Sequence, residues 1–249
     1  MTVPRILIVI PVYNESARLP RLLSGIIGLP SSDVHELKFL LVDDGSSPDE
    51  YAKTLDLLRE SGLGGRISCL RREINGGKGS ALKAGFERGL SSGCEYVGFL
   101  DADGSTPASE LLRAMEYFLA LKGTPLAAVI GSRVQLLGRD VSRNALRHYL
   151  GRIFATLVSL HFGVKIYDSQ CGMKLFRASV LKPYLDRPTD MRWVWDTQLI
   201  LSMLGAGESV HEMPIDWHEI AGSKISVLRD PFLMAWHLLS FRSPQGRGS

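Results

Sequence analysis

Two carboxylates, Asp101 and Asp103, directly follow the apolar segment Tyr96–Leu100. Carboxylate oxygens at this spacing are hard ligands that can hold Mg²⁺ or Mn²⁺ together with phosphate oxygens. We therefore predict a metal site at Asp101 and Asp103, with Ala102 contacting the substrate, and a metal that neutralises a departing diphosphate. A solvated acidic turn or a helix N-cap would show the same pattern.

A second acidic pair, Asp43-Asp44, ends the apolar run Leu37–Val42 and precedes Gly45-Ser46. One carboxylate could accept hydrogen bonds from a base or a ribose, while the other caps the helix that starts after Pro48. A plain strand-to-helix turn fits the same residues.

The segment Asn75-Gly76-Gly77-Lys78-Gly79-Ser80 precedes a helical pattern. Its backbone amides and the Lys78 ammonium are predicted to meet phosphate. It is not a Walker A loop, because Arg72 takes the place of the first glycine and Gly79 takes the last position, and the chain has no G-x-G-x-x-G. The sequence therefore gives no support for nucleotide-dependent phosphoryl transfer or for dinucleotide redox chemistry.

A basic strip lies between residues 133 and 152. It contains Arg133, Arg139, Arg143, Arg147 and Arg152, against the single acid Asp140. Because guanidinium forks match phosphate oxygens, we predict that Arg133, Arg143 and Arg147 hold an acceptor phosphate. Arg143 and Arg147 share one helical face, and Arg152 is expected to point elsewhere. A solvated basic face is the alternative.

The side chain of Asp196 is the candidate general base if the acceptor is a hydroxyl. A phosphate monoester, whose second pKa is near ~6, needs no strong base, and Asp196 would then bind a sugar hydroxyl or orient a basic side chain. The neighbouring Trp193 and Trp195 either stack on a sugar or pack in the core.

Apolar runs of strand length alternate with helical patterns in the first half of the chain. The predicted strands are Ile6–Val12, Leu37–Val42, Ile67–Leu70, Tyr96–Leu100 and Ala127–Ile130. The predicted helices lie near 18–28, 50–60, 80–90 and 108–121, followed by 142–162 and 195–206 beyond the alternation. This order predicts an α/β fold with a mostly parallel sheet, whose ligands bind at the carboxyl ends of the strands.

The composition is that of a globular protein: 249 residues, 45% hydrophobic, with a net charge of +3. So small a net charge does not indicate that the protein binds nucleic acid. Cys69, Cys94 and Cys171 lack metal-binding or disulfide spacing, and no signal peptide or apolar stretch of spanning length is visible, so we expect a cytoplasmic protein. We predict one domain over 1–230, with a donor half at 1–132 and an acceptor half at 133–230, and an amphipathic helix with a disordered tail at 231–249.

Taken together, these segments resemble the family 2 glycosyltransferases of GT-A fold over nearly the whole chain. The resemblance runs through Ile10–Glu15, Leu41–Ser46, Asn75–Gly79, Asp101–Gly104 and Gly131–Arg133. Further along, Asp168–Phe176, Arg192–Asp196 and Trp217–Lys224 are similar to the dolichyl-phosphate β-glucosyltransferase branch, which is close to the dolichyl-phosphate mannose synthases.

The resemblance implies roles for individual residues. Those implied to bind the substrate are Pro11, Tyr13, Glu15 and Asp44 at the nucleoside, Lys224 at the diphosphate, and Gln170 in the Asp168–Phe176 motif. Asp101 and Asp103 would hold the metal. Mannose synthases carry a further glutamine ligand two residues past the second aspartate, but this chain has Ser105 there, which leaves a third protein ligand open.

We therefore expect an inverting transferase that moves glucose from UDP-glucose to a polyprenyl phosphate. The alternatives are GDP-mannose as donor, a hydroxyl acceptor with Asp196 as base, and a catalytically silent nucleotide-sugar-binding scaffold. Two segments with apolar faces, Leu146–Phe162 and Pro231–Arg242, could bind peripherally to the cytoplasmic face of a membrane. Core packing or a homodimer contact would produce the same pattern.

Overall fold

The structure is a computed structural model that describes residues 3–30, 32–121, 123–142, 145–220 and 230–241. Its strands are β1 (Arg5–Val12), β2 (Glu36–Asp44), β3 (Ile67–Arg72), β4 (Tyr96–Leu100), β5 (Leu126–Ser132), β6 (Val141–Ser142), β7 (Met173–Arg177), β8 (Ser209–Pro214) and β9 (Trp217–His218). Its α-helices are α1 (Leu19–Ile27), α2 (Pro48–Glu60), α3 (Lys78–Ser91), α4 (Ala108–Ala120), α5 (Ala145–Phe162), α6 (Ala178–Leu181), α7 (Trp195–Gly205) and α8 (Asp230–Leu239). A 3₁₀ turn, Lys182–Tyr184, follows α6.

Seven strands form the central sheet in the order β3-β2-β1-β4-β7-β5-β8. All neighbours are parallel except β7, which runs antiparallel to both β4 and β5. The predicted α/β class with a mostly parallel sheet is confirmed. The antiparallel β7 was not predicted, because its apolar residues are few, only Met173, Leu175 and Phe176, and the segment directly follows a polar turn.

The five predicted strands are all present, with ends that differ by up to two residues. Strand β2 continues through Asp43 and Asp44 because these residues pair with Arg71 and Arg72 of β3. The long helix predicted from residue 142 begins at Ala145, since Val141–Ser142 forms the short strand β6 against β9.

The sheet is covered on both faces by apolar layers. Helices α1 and α4 pack on one face, and α3 and α7 pack on the other. Helix α3 lies close to the sheet because Gly85 and Gly89 face it. A Cβ at Gly85 would lie 2.5 Å from Val9, and one at Gly89 would lie 2.6 Å from Val97.

Helix α8 packs against α5, on the side of the sheet that carries α3 and α7. Its buried residues Met234 and Leu238 join the same core cluster. The predicted tail, residues 243–249, lies outside the described residues, and the division of the chain at residue 230 stays a prediction. Among the helices described, none is long and apolar enough to cross a membrane.

Candidate active site

A cleft of about 500 Å³ opens at the carboxyl ends of β1, β2, β4 and β5. Ten predicted site residues line it: Pro11, Tyr13, Glu15, Asp44, Lys78, Asp101, Ala102, Asp103, Arg133 and Gln170. The fold therefore brings together side chains that are up to 159 positions apart, counted from Pro11 to Gln170.

The Asp101 and Asp103 carboxylates lie in the turn that follows β4. The backbone N–H of Asp101 donates to Gly172 O at 2.9 Å, and Asp103 Oδ1 accepts from the Ser105 N–H at 2.9 Å. Burial raises the pKa of Asp101. The Lys78 ammonium opposes that rise, and the negative charge of Asp103 adds to it.

Each of these carboxylates has a cation beside it. Lys78 Nζ lies 2.6 Å from Asp101 Oδ1, and Arg18 Nη1 lies 3.5 Å from Asp103 Oδ2. Glu15 holds Arg18 in place through contacts of 2.7 Å to Nε and 2.5 Å to Nη2. Sequence reasoning missed Arg18, although the i,i+3 spacing from Glu15 predicts such a pair on a helical turn.

The donor set at this turn fits a divalent cation. Both carboxylates face the cleft, and the space beside Asp101 depends on Gly172, where a Cβ would lie 2.1 Å from Asp101 Oδ2. No group of three His, Cys, Asp or Glu side chains suited to a metal occurs among the described residues. The remaining ligands would therefore come from diphosphate oxygens and water, as is usual for Mg²⁺.

The amides of the Asn75–Ser80 segment bind other parts of the protein. Those of Gly76 and Gly77 donate to the Asp44 carboxylate at 3.2 and 2.7 Å, and those of Gly79 and Ser80 donate to the carbonyls of Arg192 and Met191, both at 3.1 Å. The prediction that the amides of this segment meet phosphate is therefore wrong for these four, and it stays a prediction for the amides of Asn75 and Lys78. Lys78 alone of this segment carries a charge into the cleft.

The two aspartates at the end of β2 differ in position. Asp44 lines the cleft, whereas Asp43 is fully buried and does not line it. The Asp43 carboxylate accepts a hydrogen bond from the Ser46 N–H at 3.2 Å. The predicted contact of Asp43 with substrate is wrong, because the alternation of a strand turns its side chain away. Neither aspartate caps α2, since Ser47 is the N-cap and its side chain accepts from the Glu50 N–H at 3.4 Å.

Arg133 and Arg152 line the cleft beyond β7. The Asp168 carboxylate accepts hydrogen bonds from Nε and Nη2 of Arg133, both at 2.7 Å. The Arg133 guanidinium also lies 5.4 Å from the Trp217 ring centroid. The Arg152 guanidinium stacks 3.5 Å from the Tyr167 ring centroid. Arg152 therefore lies on the face of α5 that contains residues 151, 152 and 155 and borders the cleft, a position that was not predicted.

The side chains of Trp195 and Asp196 lie beneath the cleft lining. Trp195 is fully buried with its ring 5.9 Å from Phe86, so it is a core residue and the prediction that it binds substrate is wrong. Asp196 is buried in an ion pair with Lys174 Nζ at 2.5 Å, which contradicts a direct contact with an acceptor hydroxyl. Trp193 does line the cleft.

Three of the predicted site residues have side chains that the structure does not describe. Arg143 and Lys224 lie outside the described residues, and Arg147 belongs to α5 but its side chain is not described. Their predicted roles stay predictions. The cleft lining that sequence reasoning did not single out includes Arg18, Thr106, Phe154, Tyr167, Arg192 and Met234.

Residues 7–185 match the family described as Glycosyl transferase family 2. The matched segment covers most of the chain. The cleft of the protein contains the paired carboxylates that were predicted from the sequence. The chain belongs to this family of glycosyltransferases.

Two named relatives show which branch of the family the chain is similar to. The chain is 32% identical over 251 residues to the dolichyl-phosphate beta-glucosyltransferase of Saccharomyces cerevisiae, which covers 94% of this chain and 73% of that protein. It is 33% identical over 225 residues to the polyprenol monophosphomannose synthase of Mycolicibacterium smegmatis, covering 89% and 81%. The predicted resemblance to this branch is confirmed.

A solved structure shares the fold. Glucosyl-3-phosphoglycerate synthase from Mycobacterium tuberculosis in complex with phosphoglyceric acid superposes with a TM-score of 0.66 at 17% identity, covering 98% of this chain and 82% of that one. Another structure of that synthase contains Mn²⁺ and uridine diphosphate, with a TM-score of 0.61 at 17% identity, covering 95% and 77%. At such identities the likeness supports the GT-A fold.

Proposed function

We propose that this chain transfers glucose from UDP-glucose to a polyprenyl phosphate and inverts the anomeric centre. The observation that carries the proposal is the separation of charges in one cleft. Asp101 and Asp103 follow β4, whereas Arg133 follows β5, two strand positions away. Two strand spacings amount to about 10 Å, which leaves room for a sugar between two anionic groups.

The donor end is built from Asp101 and Asp103 with Lys78 and Arg18. The two carboxylates would hold Mg²⁺ or Mn²⁺, which when bound neutralises charge on the leaving diphosphate. Lys78 and Arg18 are positioned beside the same carboxylates, so their charges can also stabilise the diphosphate as it departs. Asp44 fixes the loop that carries Lys78 through the two glycine amides.

The acceptor end contains Arg152 and Arg133, which suit a phosphate monoester, although Asp168 also binds two of the Arg133 guanidinium nitrogens. With its second pKa near ~6, such an acceptor arrives largely ionised and can attack the anomeric carbon directly. A hydroxyl acceptor would need a base, and Asp196, the predicted base, is committed to Lys174. This arrangement favours the phosphate acceptor. Attack in a single step gives a β-linked product from an α-linked donor.

The named relatives support the same substrates. One is a dolichyl-phosphate beta-glucosyltransferase and another is a polyprenol monophosphomannose synthase, so both names specify a long-chain lipid. Because the lipid phosphate resides in a bilayer, we propose that the chain works at a membrane surface. The choice of glucose over mannose rests on the glucosyl relatives.

The test is an incubation of the protein with radiolabelled UDP-glucose, UDP-galactose or GDP-mannose, polyprenyl phosphate and Mn²⁺ or Mg²⁺. Label should enter the organic phase only with UDP-glucose, and the product should be the β-anomer by nuclear magnetic resonance. Transfer from GDP-mannose instead would replace the donor and leave the acceptor assignment intact. Label that enters only water-soluble products, or no product at all, would contradict the proposal.

A further inference from the structure

Glu110, in the first turn of α4, has a buried carboxylate outside the cleft lining. Two guanidinium groups lie beside it. Arg113 of the same helix contacts Oε2, and Arg139 Nη1 lies 3.5 Å from Oε1. Burial raises the pKa of Glu110, and the charges of the two arginines oppose that rise. Because an unpaired buried carboxylate is costly to desolvate, Glu110 depends on these cations and fixes them in return.

The partner Arg139 comes from another part of the chain. It lies in the connection between β5 and β6, 29 positions from Glu110. Its Nη1 also lies 3.6 Å from Oδ1 of Asp216, in the connection between β8 and β9. The Arg139 guanidinium is therefore bound by two carboxylates from different segments. We refer to Glu110, Arg139 and Asp216 as the Glu110 cluster. Arg113 adds a second tie, since its Nη1 lies 3.4 Å from the Pro214 carbonyl oxygen.

The two segments that the Glu110 cluster joins to α4 also pair with each other. Strands β6 and β9 are parallel neighbours, and the Trp217 N–H donates to the Asp140 carbonyl at 2.9 Å. The Asp140 N–H donates to Asp216 Oδ1 at 2.9 Å, so this pairing uses the same carboxylate oxygen that contacts Arg139. We refer to residues 133–142 and 214–220 together as the β6–β9 wall.

The β6–β9 wall contributes to the lining of the active-site cleft. Its lining residues are Arg133, Trp217, Glu219 and Ile220. Glu110, Arg139 and Asp216 are described residues that lie outside this lining. The Glu110 cluster therefore fixes residues of the cleft without lining it.

We propose that Glu110 is a positioning residue for the acceptor, which acts through Arg139 and Asp216 to hold the β6–β9 wall in place. The wall contains Arg133 and Trp217 of the acceptor end, so a loosened wall would no longer present these side chains at one position. Naming the ligand at this end as the acceptor rests on the proposed function, whereas the link between Glu110 and the wall does not.

The donor end is supported by other contacts. The Asp101 N–H donates to the Gly172 carbonyl, and the Asp103 carboxylate accepts from the Ser105 N–H, each at 2.9 Å. These hydrogen bonds do not involve the Glu110 cluster. Loss of the cluster should therefore weaken acceptor binding while donor binding persists.

The first test measures hydrogen exchange by mass spectrometry in the wild type, Glu110→Gln and Arg139→Gln. Each change removes one charge of the cluster and keeps a polar side chain. Peptides of the β6–β9 wall should exchange at least about tenfold faster in both variants, and peptides of β4 should be unaltered. The matched control is Glu116→Gln, which makes the same change at an exposed position of α4. Should Glu110→Gln not fold, Arg139→Gln gives the test, because that side chain is 26% exposed.

The second test measures initial rates with UDP-glucose and polyprenyl phosphate. In both variants the KM for the acceptor should rise about tenfold, with kcat and the donor KM within about twofold of the wild type. General destabilisation would instead lower kcat by reducing the amount of folded enzyme and would leave both KM values unaltered. The double variant should be no worse than the more affected single variant, since both changes break the same contact.

Wall peptides that exchange at the wild-type rate in both variants would overturn the proposal. It would also fail if the wall loosens while the acceptor KM is unaltered, or if the two single effects multiply in the double variant. A wild type that glucosylates no polyprenyl phosphate would refute the proposed function. The exchange rates would then decide by themselves whether Glu110 holds the β6–β9 wall.

Discussion

Replacing Gly172 by alanine should disable the metal site while the fold survives. The added Cβ would lie 2.1 Å from Asp101 Oδ2 and 2.5 Å from Asp101 Cγ, whereas ordinary contacts begin at 3.4 Å. The Asp101 carboxylate must therefore move by about 1 Å or more, because neither group can occupy the same space. Gly172 is not in the left-handed region of backbone conformation, so the effect is steric.

The magnitude follows from that displacement. A misplacement of about 1 Å in a catalytic site costs on the order of 10²-fold in rate, which corresponds to about 2.7 kcal/mol of activation free energy. The Asp101 side chain is 36% exposed and can swing toward the cleft, so the midpoint of thermal unfolding should fall by less than about 4 °C.

The assay measures initial transfer rates and Mn²⁺ binding by electron paramagnetic resonance for Gly172→Ala and for Gly64→Ala. Gly64 is the matched control, because an added Cβ there has no atom within 4 Å and its backbone is not left-handed. The control should behave as the wild type. If Gly172→Ala keeps both its Mn²⁺ affinity and its turnover, the close approach of Gly172 to Asp101 does not govern the metal site.

Three further results are expected. Asp103→Ala should abolish transfer and weaken nucleotide-sugar binding in Mn²⁺, and turnover that persists in excess EDTA would remove the metal from the mechanism. Arg152→Ala should weaken the use of polyprenyl phosphate by about 1.5–3 kcal/mol with donor affinity unchanged in calorimetry, and lysine should restore only part of this, since it lacks the guanidinium fork; a loss of donor affinity instead would place Arg152 at the nucleotide. Burial raises the pKa of Cys171 to about 12 and that of Cys69 to about 11, so both thiols stay protonated at pH 8. Mass spectrometry should show iodoacetamide labelling of both only in denaturant, and fast labelling of native Cys171 would contradict its burial.

The donor end of the site could be predicted from the sequence because its signals are local. Apolar runs of strand length identify the strands that end at Val12, Asp44 and Leu100, and the polar residues after each run must then share one edge of a parallel sheet. The same logic located Asp101 and Asp103 in the cleft without knowledge of any contact.

The partners of these side chains could not be predicted, because they depend on tertiary contacts. Nothing near Asp196 in sequence shows that Lys174 will bind it, and the helical pattern around Trp195 does not reveal that its ring packs on Phe86. The glycine amides of the Asn75–Ser80 segment suit phosphate by type, yet Asp44, some thirty positions earlier, accepts two of their hydrogen bonds. The sequence therefore predicts which residues reach the cleft better than it predicts which residues their side chains contact.

The turn Asp168–Gly172 links the two ends of the proposed site. At its start Asp168 binds Arg133 of the acceptor end, and at its finish the Gly172 carbonyl accepts from the Asp101 N–H of the donor end. Glu212 fixes the backbone here by accepting from the Tyr167 and Asp168 N–H groups at 2.7 and 2.8 Å.

This turn lies at the ligand edge because β7 is antiparallel, so that its first residue, Met173, pairs with Leu100 at the end of β4. A parallel strand in the same position would bring its last residue to that edge, and the turn would lie at the opposite end of the sheet. Strand β7, which the sequence did not predict, therefore sets the spacing between Asp101 and Arg133. Because a short covalent segment fixes this spacing, a donor and an acceptor bound at the two ends would meet in a defined geometry, which lowers the entropic part of the barrier.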